Sequence, residues 1–368
     1  MIPLLDQTSA QLRDWFVQHD LPAYRAGQVG KWLFEKRAGD FAEMTDLPAA
    51  LREQLAAEFQ IWTTTILKHR RADDGSEKLL LGLSDGQQIE CVLLRDDKDH
   101  CTACISTQVG CAMGCAFCAT GLDGVVRNLT RGEILEEMLQ IQRLLSHGAG
   151  CQPATTAAKG DSPISAKPKI GTVPTERLSH IVVMGMGEPL LNLDALLPAL
   201  AEAAADDGLG ISSRRITIST VGLPQGIRRL ARDNCQYHLA ISLHAPTDAL
   251  RNELVPANRG FGIAAIMAAA DEYFELTGRR VTFEYVLLAG VNDQPEHARE
   301  LGRLLRGRPA LVNLIPYNPV PGLKYRTPAP AATARFVELL TQEGLNVAIR
   351  YRKGDRISAA CGQLRRST

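Results

Sequence analysis

The chain has 368 residues, enough for two or three structural units that share a sizeable core. Its composition, 45% hydrophobic and 22% charged, is that of an ordinary globular protein and excludes a disordered chain. No apolar run reaches the roughly 20 residues that span a bilayer, so no membrane helix is expected. Basic and acidic residues number 41 each. A nucleic-acid partner would therefore need a locally basic surface.

The first residues contain no basic segment followed by an apolar one, so we expect a cytoplasmic protein without a secretory signal. Nine cysteines are present, and six of them fall within the 28 residues from Cys91 to Cys118. In a reducing compartment such clustering favours metal binding or catalysis over a disulfide scaffold.

Helical periodicity marks residues 6–60, where apolar residues recur at three- and four-residue spacing around Trp15 and again around Trp32. Basic side chains accompany the second repeat, namely Arg25, Lys31, Lys36 and Arg37. Two interpretations remain open, a surface that contacts a nucleic-acid backbone and an ordinary solvated helix face. We predict an N-terminal helical, RNA-binding accessory domain over residues 1–72.

Residues 73–100 predict a short β hairpin or linker, because two β-type runs flank the turn Ser84-Asp85-Gly86. Strand-like runs then alternate five times with helical stretches, which predicts an α/β core with parallel strands over residues 101–345. In such folds ligands bind at the carboxyl ends of the strands. Residues 148–176, rich in Gly, Ala, Pro, Ser and Thr, predict a flexible surface insertion. Residues 346–368 form a C-terminal segment.

The sharpest motif is Cys111-Ala-Met-Gly-Cys115-Ala-Phe-Cys118. Three thiolates at this spacing can hold one inorganic centre and leave a coordination position open. A structural zinc ion is the alternative, and Cys101 or Cys104 could then supply the fourth ligand.

The spacing of the three cysteines, with Phe117 before the last, resembles the radical S-adenosylmethionine superfamily. This resemblance implies a partial (β/α) barrel and a 4Fe-4S cluster held by Cys111, Cys115 and Cys118. It also implies that S-adenosylmethionine binds at the ends of successive predicted strands, at Gly187, Glu188, Ser219, Ser242, Leu243, His244 and Asn318. Glu188 would accept a hydrogen bond from the methionyl ammonium group of this cofactor.

Two further segments, Cys104 to Cys111 and Gly354 to Leu364, resemble the radical methyltransferases that modify adenine carbon 2 in large-subunit ribosomal RNA and transfer RNA. The resemblance implies that Cys361 accepts a methyl group from one S-adenosylmethionine while a second one supplies the radical, so two are used per turnover. It further implies that Cys104 releases the product by forming a disulfide with Cys361. Glu90 would take the ring proton, although this chain has one more residue between Glu90 and Cys104 than the family pattern has.

Positive charge beside Cys361 could come from four nearby residues, Arg350, Arg352, Lys353 and Arg356. The family also implies an external electron donor such as flavodoxin, and we expect a monomer with no membrane partner. Two alternative functions stay open. One is the same chemistry at carbon 8 of the ribosomal adenine, which confers antibiotic resistance, and the other is a non-catalytic, zinc-stabilised RNA-binding module.

Overall fold

The computed structural model describes residues 1–98, 100–147, 176–233, 236–350, 354 and 357–365. The N-terminal part is helical, as predicted, with two short strands at its ends. Its elements are β1 (Ile2–Pro3), α1 (Ser9–Gln18), α2 (Arg25–Phe34), α3 (Ala49–Glu58) and β2 (Phe59–Gln60). Helix α1 begins at a capping box in which Thr8 accepts from the Gln11 amide and the Gln11 side chain accepts from the Thr8 amide. The helices bury Leu12, Phe16, Val29 and Leu33, and Trp15 and Trp32 pack partly buried against the same core.

An antiparallel part of the main sheet follows, formed by β3 (Thr65–Arg71), β4 (Glu77–Gly82), β5 (Gln88–Arg95) and β6 (Cys101–Cys104). The predicted hairpin is present as β4 and β5. Its turn closes with Gly86 at φ 81° and with the Leu83 amide donating to the Gln87 carbonyl. Strand β3 corrects the helical prediction for residues 1–72, because the alternating run after residue 64 pairs with β4 instead of continuing the helices.

The remaining elements begin with two short strands that pair beside the cysteine motif and with one long helix. These are β7 (Gln108–Gly110), β8 (Val125–Asn128) and α4 (Arg131–His147). Strands and helices then alternate in the order β9 (Leu178–Val183), α5 (Leu193–Ala204), β10 (Ile216–Thr220), α6 (Pro224–Arg232), β11 (His238–Ser242), α7 (Asp248–Leu254), α8 (Gly262–Thr277), β12 (Val281–Leu287), α9 (Pro295–Leu305), β13 (Ala310–Pro316), α10 (Pro330–Gln342) and β14 (Asn346–Ile349).

One sheet of ten strands contains most of these elements, in the order β14-β13-β12-β11-β10-β9-β6-β5-β4-β3. Within this sheet β6 and β9 to β14 run parallel, so their carboxyl ends share one edge. This confirms the α/β fold and the five predicted strand–helix units. The sheet is open between β3 and β14 within the described residues, as a partial barrel requires. Helices α4 and α7, strands β6 and β14 and the short strands β1, β2, β7 and β8 were not predicted from the sequence.

The N-terminal helices share a core with the sheet and are tied to α4 by buried charged groups. Glu136 on α4 accepts from the amides of Thr63 and Thr64 at 2.7–3.0 Å, and Arg131 donates to the carbonyl of Gln7 at 3.0 Å. No helix in the described part of the chain is long and apolar enough to cross a membrane. Apart from Glu176, the insertion predicted at 148–176 lies outside the described residues.

Candidate active site

A cavity of about 940 Å³ opens at the carboxyl edge of the parallel strands. Its walls are the cysteine loop, the ends of strands β9 to β13 and the C-terminal residues around Cys361. Most of the predicted site residues line it, namely Cys111, Cys115, Cys118, Gly187, Glu188, Ser219, Ser242, His244, Asn318 and Cys361. Three predicted residues do not, because Cys104 and Glu90 line neighbouring cavities and Leu243 is buried in the core.

Backbone contacts hold the cysteine loop in place. Gly110, just before Cys111, has φ 83°, and a Cβ atom there would lie 2.0 Å from the Gly124 carbonyl oxygen, so only glycine fits. The Ala116 amide donates to the Leu254 carbonyl at 2.9 Å, which fastens the loop to α7. The loop is therefore anchored before any inorganic group binds.

The three thiols are close enough to influence one another. Burial raises the pKa of Cys111 to about 11 and also raises the pKa of Cys115 and Cys118, and the neighbouring thiols add to the shift at Cys111 and Cys115. Binding of iron would release their protons. Cys111, Cys115 and Cys118 line one cavity, where they could hold a multi-iron cluster with each cysteine bound to a different iron.

Glu188 lies at the floor of the cavity, almost completely buried. Its Oε1 accepts from the Thr220 hydroxyl at 2.6 Å and the Leu190 amide at 3.0 Å, and its Oε2 accepts from the Val221 amide at 2.9 Å. Burial raises the pKa of Glu188, and these donors oppose that shift. A carboxylate oxygen accepts two hydrogen bonds readily, so Oε2 retains capacity for a ligand's ammonium group.

Only glycine fits immediately before Glu188, because the backbone there passes close to two neighbouring side chains. Gly187 has φ 106°, and a Cβ atom there would lie 2.7 Å from the side chains of Gln108 and Thr107. Gln108 also accepts from the Glu188 amide at 2.8 Å. Strand β7 thereby fixes the turn that carries the predicted cofactor residues.

Polar groups at the ends of β10 and β11 face the same cavity. The hydroxyls of Ser219 and Ser242 are 3.4 Å apart. His244 has φ 61°, an uncommon conformation for histidine that is found at functional sites. Its Nδ1 accepts from the Val286 amide at 3.1 Å, and burial lowers its pKa to about 3, so the ring is neutral with its proton on Nε2. Leu243 does not line the cavity, and its backbone amide donates to the Glu284 carbonyl in the core.

Asn318 connects the cavity to the C-terminal segment. Its Nδ2 donates to the Cys361 carbonyl at 3.3 Å, whereas its buried Oδ1 has no hydrogen-bond partner among the described residues. A buried carbonyl oxygen without a donor is costly, so this atom is available for a hydrogen-bond donor of a bound ligand.

Cys361 and Cys104 are both free thiols and line a second cavity on the other side of the C-terminal segment. Burial raises the pKa of Cys104 to about 12, and the nearby Cys361 adds to the shift. The guanidinium group of Arg350 lies at both cavities, and Cys361 is the largest contribution that raises its pKa. Arg350 thus supplies the positive charge predicted near Cys361, while Arg352, Lys353 and Arg356 lie outside the described residues.

Glu90 is placed in a third cleft rather than beside the cysteines. Its carboxylate is buried and forms an ion pair with Lys78 at 2.7 Å, and it accepts from the Arg365 amide at 3.0 Å. The Lys78 ammonium group also donates to the Ser358 carbonyl at 3.0 Å. Glu90 is therefore tied to the segment that carries Cys361.

Two residues at the site were not predicted from the sequence, Glu284 in the cavity wall and Arg251 in the core beside it. Glu284 lines the cavity from the middle of β12, where burial raises its pKa and both its carboxylate oxygens accept from Asn313. A carboxylate inside an apolar strand was the signal for it. Arg251 on α7 is completely buried. No local pattern distinguishes this arginine from an ordinary surface residue of a short helix.

The guanidinium group of Arg251 joins the ends of two strands. It donates to the carbonyls of Val221 at 2.5 Å, Ser242 at 3.1 Å and Leu243 at 2.9 Å, and to the Asn258 side chain at 2.5 Å. None of these acceptors is a carboxylate. Burial lowers the pKa of Arg251 to about 10, and Cys115 and Asp248 oppose that shift.

We expect Arg251→Met to lower the free energy of unfolding by about 3–5 kcal/mol, because buried acceptors on two strand ends lose their donor. Urea unfolding followed by circular dichroism measures the change. The exposed Arg303 on α9 is the matched control, and Arg303→Met should stay within about 0.5 kcal/mol of the parent. Equal midpoints for the two variants would contradict the structural role of Arg251.

Comparison with known proteins gives one consistent result. A family model described as the ribosomal RNA large subunit methyltransferase N-terminal domain matches residues 2–61. The chain is 55% identical over 364 residues to a probable dual-specificity RNA methyltransferase RlmN of Rhodopirellula baltica, covering 99% of this chain and 91% of that protein. A protein of the same description from Moorella thermoacetica is 47% identical, with 93% and 91% covered. The crystal structure of a radical SAM methyltransferase from Sphaerobacter thermophilus superposes with a TM-score of 0.89, at 42% identity and 99% coverage of both chains.

Proposed function

Because the chain belongs to the RlmN family of radical S-adenosylmethionine RNA methyltransferases, we propose that it methylates carbon 2 of adenine. The substrates are one adenine of large-subunit ribosomal RNA and the adenine 3′ of the anticodon in transfer RNAs. The observation that carries this proposal is the position of Cys361, which lines one cavity with the three motif cysteines and a second cavity with Cys104.

The first cavity has the groups that S-adenosylmethionine and a 4Fe-4S cluster require. Cys111, Cys115 and Cys118 would bind the cluster, which supplies the electron that cleaves the sulfonium and yields a 5′-deoxyadenosyl radical. Glu188 Oε2 would accept from the methionyl ammonium group, and Asn318 Oδ1 would accept from another donor of the cofactor. The neutral His244 presents its Nε2 proton to the same space.

Cys361 is the methyl carrier in this proposal. Its thiolate takes a methyl group from one S-adenosylmethionine, and the adjacent Arg350 stabilises the negative charge of the attacking sulfur. The radical derived from a second S-adenosylmethionine would then remove one hydrogen atom from the methyl group carried by the Cys361 sulfur. The resulting methylene radical adds to carbon 2 of the adenine, a position too electron-poor for ordinary nucleophilic methylation.

Release of the product requires Cys104 and a base. Cys104 attacks the Cys361 sulfur, so that a disulfide forms while the bond from that sulfur to the methylene carbon breaks. Both thiols line the second cavity, which supports this pairing. Glu90 takes the ring proton, and its carboxylate is held in position by the ion pair with Lys78. For the electrons to balance, the adduct radical would return its one unpaired electron to the cluster as the ring proton leaves, and the released carbon would then take its third hydrogen as a proton.

Several narrower statements stay predictions. These are the external electron donor such as flavodoxin, the monomeric state, the cytoplasmic location and the boundaries of the RNA-binding N-terminal domain. Within that domain, Lys36 lies over the Trp32 ring at 3.5 Å and Lys31 pairs with Glu35, so part of its basic charge is already engaged.

The proposal is tested by the identity of the product nucleoside. We expect the anaerobically reconstituted enzyme, given S-adenosylmethionine, a reductant and ribosomal RNA lacking its modifications, to yield 2-methyladenosine on chromatography with mass spectrometry. A Cys361→Ala variant should yield none. Formation of 8-methyladenosine would establish the carbon 8 alternative, and a colourless protein without methylation would favour the zinc-stabilised RNA-binding module.

The role of Cys104 gives a second prediction. Cys104→Ala should accumulate a covalent RNA–protein species that survives denaturing electrophoresis, because it lacks the thiol that attacks Cys361. In the parent enzyme, release of this species should accelerate about tenfold per pH unit from pH 7 to 9, because the thiolate fraction rises in that proportion well below a pKa of about 12. Cys101→Ala is the control, since Cys101 starts the same strand but does not line the second cavity. A variant that releases only free RNA, or a release rate independent of pH, would contradict the role.

A further inference from the structure

The third cleft, which contains Glu90, has a strongly basic lining that the proposed function has not used. Its charged residues are Lys68, Arg70, Lys78, Arg365 and Glu90, and its volume is about 1150 Å³. We propose that this cleft binds the phosphodiester backbone of the RNA strand immediately beside the target adenosine. The inference rests on the proposed function and adds the surface that holds the substrate.

The register of the antiparallel strands produces this lining. Lys68 pairs with Leu80, and Leu80 pairs with Glu90, so the three side chains form one row across β3, β4 and β5. Arg70 pairs with Lys78 in the adjacent row. Because alternate residues of a strand face opposite sides of a sheet, the intervening residues point into the core, as the complete burial of Leu79, Leu81, Ile89 and Cys91 shows. The basic residues therefore share a single face.

Two of the four cations in the cleft are available to an anionic ligand. Lys78 is paired with Glu90 at 2.7 Å, and Arg365 is paired with Asp123 at 3.0 Å. Lys68 and Arg70 are exposed, and neither has a hydrogen bond or ion pair within the described part of the chain. Adjacent cations without partners in a concave surface are the arrangement that binds successive phosphates.

The position of the cleft indicates which part of the RNA it holds. Ser358, Gln363 and Arg365 form part of its lining, so the segment that carries Cys361 separates this cleft from the first cavity. Glu90, the proposed base, also belongs to the lining. An RNA strand that runs through the cleft can thus direct its unstacked adenine toward both Glu90 and Cys361.

Basic residues on β3 have a second possible explanation, because lysine and arginine on an edge strand discourage pairing with another sheet. In that case the charges only protect the unpaired backbone edge of β3, and no ligand is involved. The two explanations differ in what happens to RNA affinity when the charges are removed, since only a phosphate site loses counterion release.

The test compares two double variants that remove the same charge. Lys68→Gln with Arg70→Gln alters the cleft, whereas Arg299→Gln with Arg303→Gln alters the exposed face of α9. We expect the cleft variant to bind target RNA at least about tenfold more weakly near 0.15 M salt. The slope of log affinity against log salt should fall by about 1.4, or ~0.7 for each lost contact to a single strand. The α9 variant should match the parent, and equal slopes for all three proteins would overturn the proposal.

A modified substrate locates the contact. Neutral methylphosphonate linkages on either side of the target adenosine should weaken binding by the parent enzyme but have much less effect on the cleft variant, because the partner charges are already absent. Linkages neutralised far from the target should weaken both proteins equally. Equal losses for the adjacent linkages would also overturn the proposal. Methylation of unmodified RNA by the parent is scored in parallel, so failure of the proposed function is distinguished from failure of the cleft to bind phosphate.

Discussion

The active site depends on the hydrogen bonds that hold residues 357–365 across the carboxyl edge of the sheet. The Ala119 amide donates to the Gly362 carbonyl at 2.8 Å, the Thr120 hydroxyl donates to the Leu364 carbonyl at 2.6 Å, and Asn318 donates to the Cys361 carbonyl. Each such bond contributes only about 1 kcal/mol, but bonds from different elements fix one position for the segment. Ala119 and Thr120 directly follow Cys118, so the same loop positions Cys361, the proposed methyl carrier, relative to the three motif cysteines.

With residues 357–365 held in this position, the proposed reacting groups lie in two cavities and the adjoining basic cleft. The cluster cysteines face the first cavity, Cys104 faces the second, and Glu90 faces the basic cleft, while the Cys361 segment contributes lining to all three. Under the proposed function this separation has a chemical use. Burial raises the pKa of Cys104 to about 12, which would keep Cys104 a thiol and out of competition with Cys361 for the methyl group.

Buried cations supply the electrostatics of the site. Arg251 places a guanidinium group below the cavity near Cys115 with no carboxylate in direct contact, and Arg350 lies between Cys361 and Glu284. Such charges are expensive to bury without an anionic partner. Arg350 has the carboxylate of Glu284 as an anionic neighbour, whereas no carboxylate accepts a hydrogen bond from Arg251 in the described residues, so thiolate formation at Cys115 would add negative charge near it.

Much of this arrangement could be predicted from the sequence because it depends on local patterns. Strand and helix periodicity identified the five units, and the spacing of Cys111, Cys115 and Cys118 identified the cluster motif. The sequence could not reveal Arg251, whose partners are distant carbonyls, or the core position of Leu243. Strand β6 was missed because Cys-Thr-Ala-Cys is too short for a periodic signal, and β3 because its exposed Lys and Arg lack a buried apolar pattern. These four features, Arg251, Leu243, β6 and β3, all depend on contacts with other elements that the local sequence does not show.

The most direct test of the account follows the hydrogens of the transferred carbon. Ribosomal RNA is methylated with S-adenosylmethionine whose methyl group is fully deuterated, and the product nucleoside is examined by mass spectrometry. Transfer through a methylene radical on Cys361 predicts a product methyl group with two deuteriums and one hydrogen, because one deuterium leaves with 5′-deoxyadenosine. A product that retains all three deuteriums would show direct methyl transfer and contradict the role of Cys361.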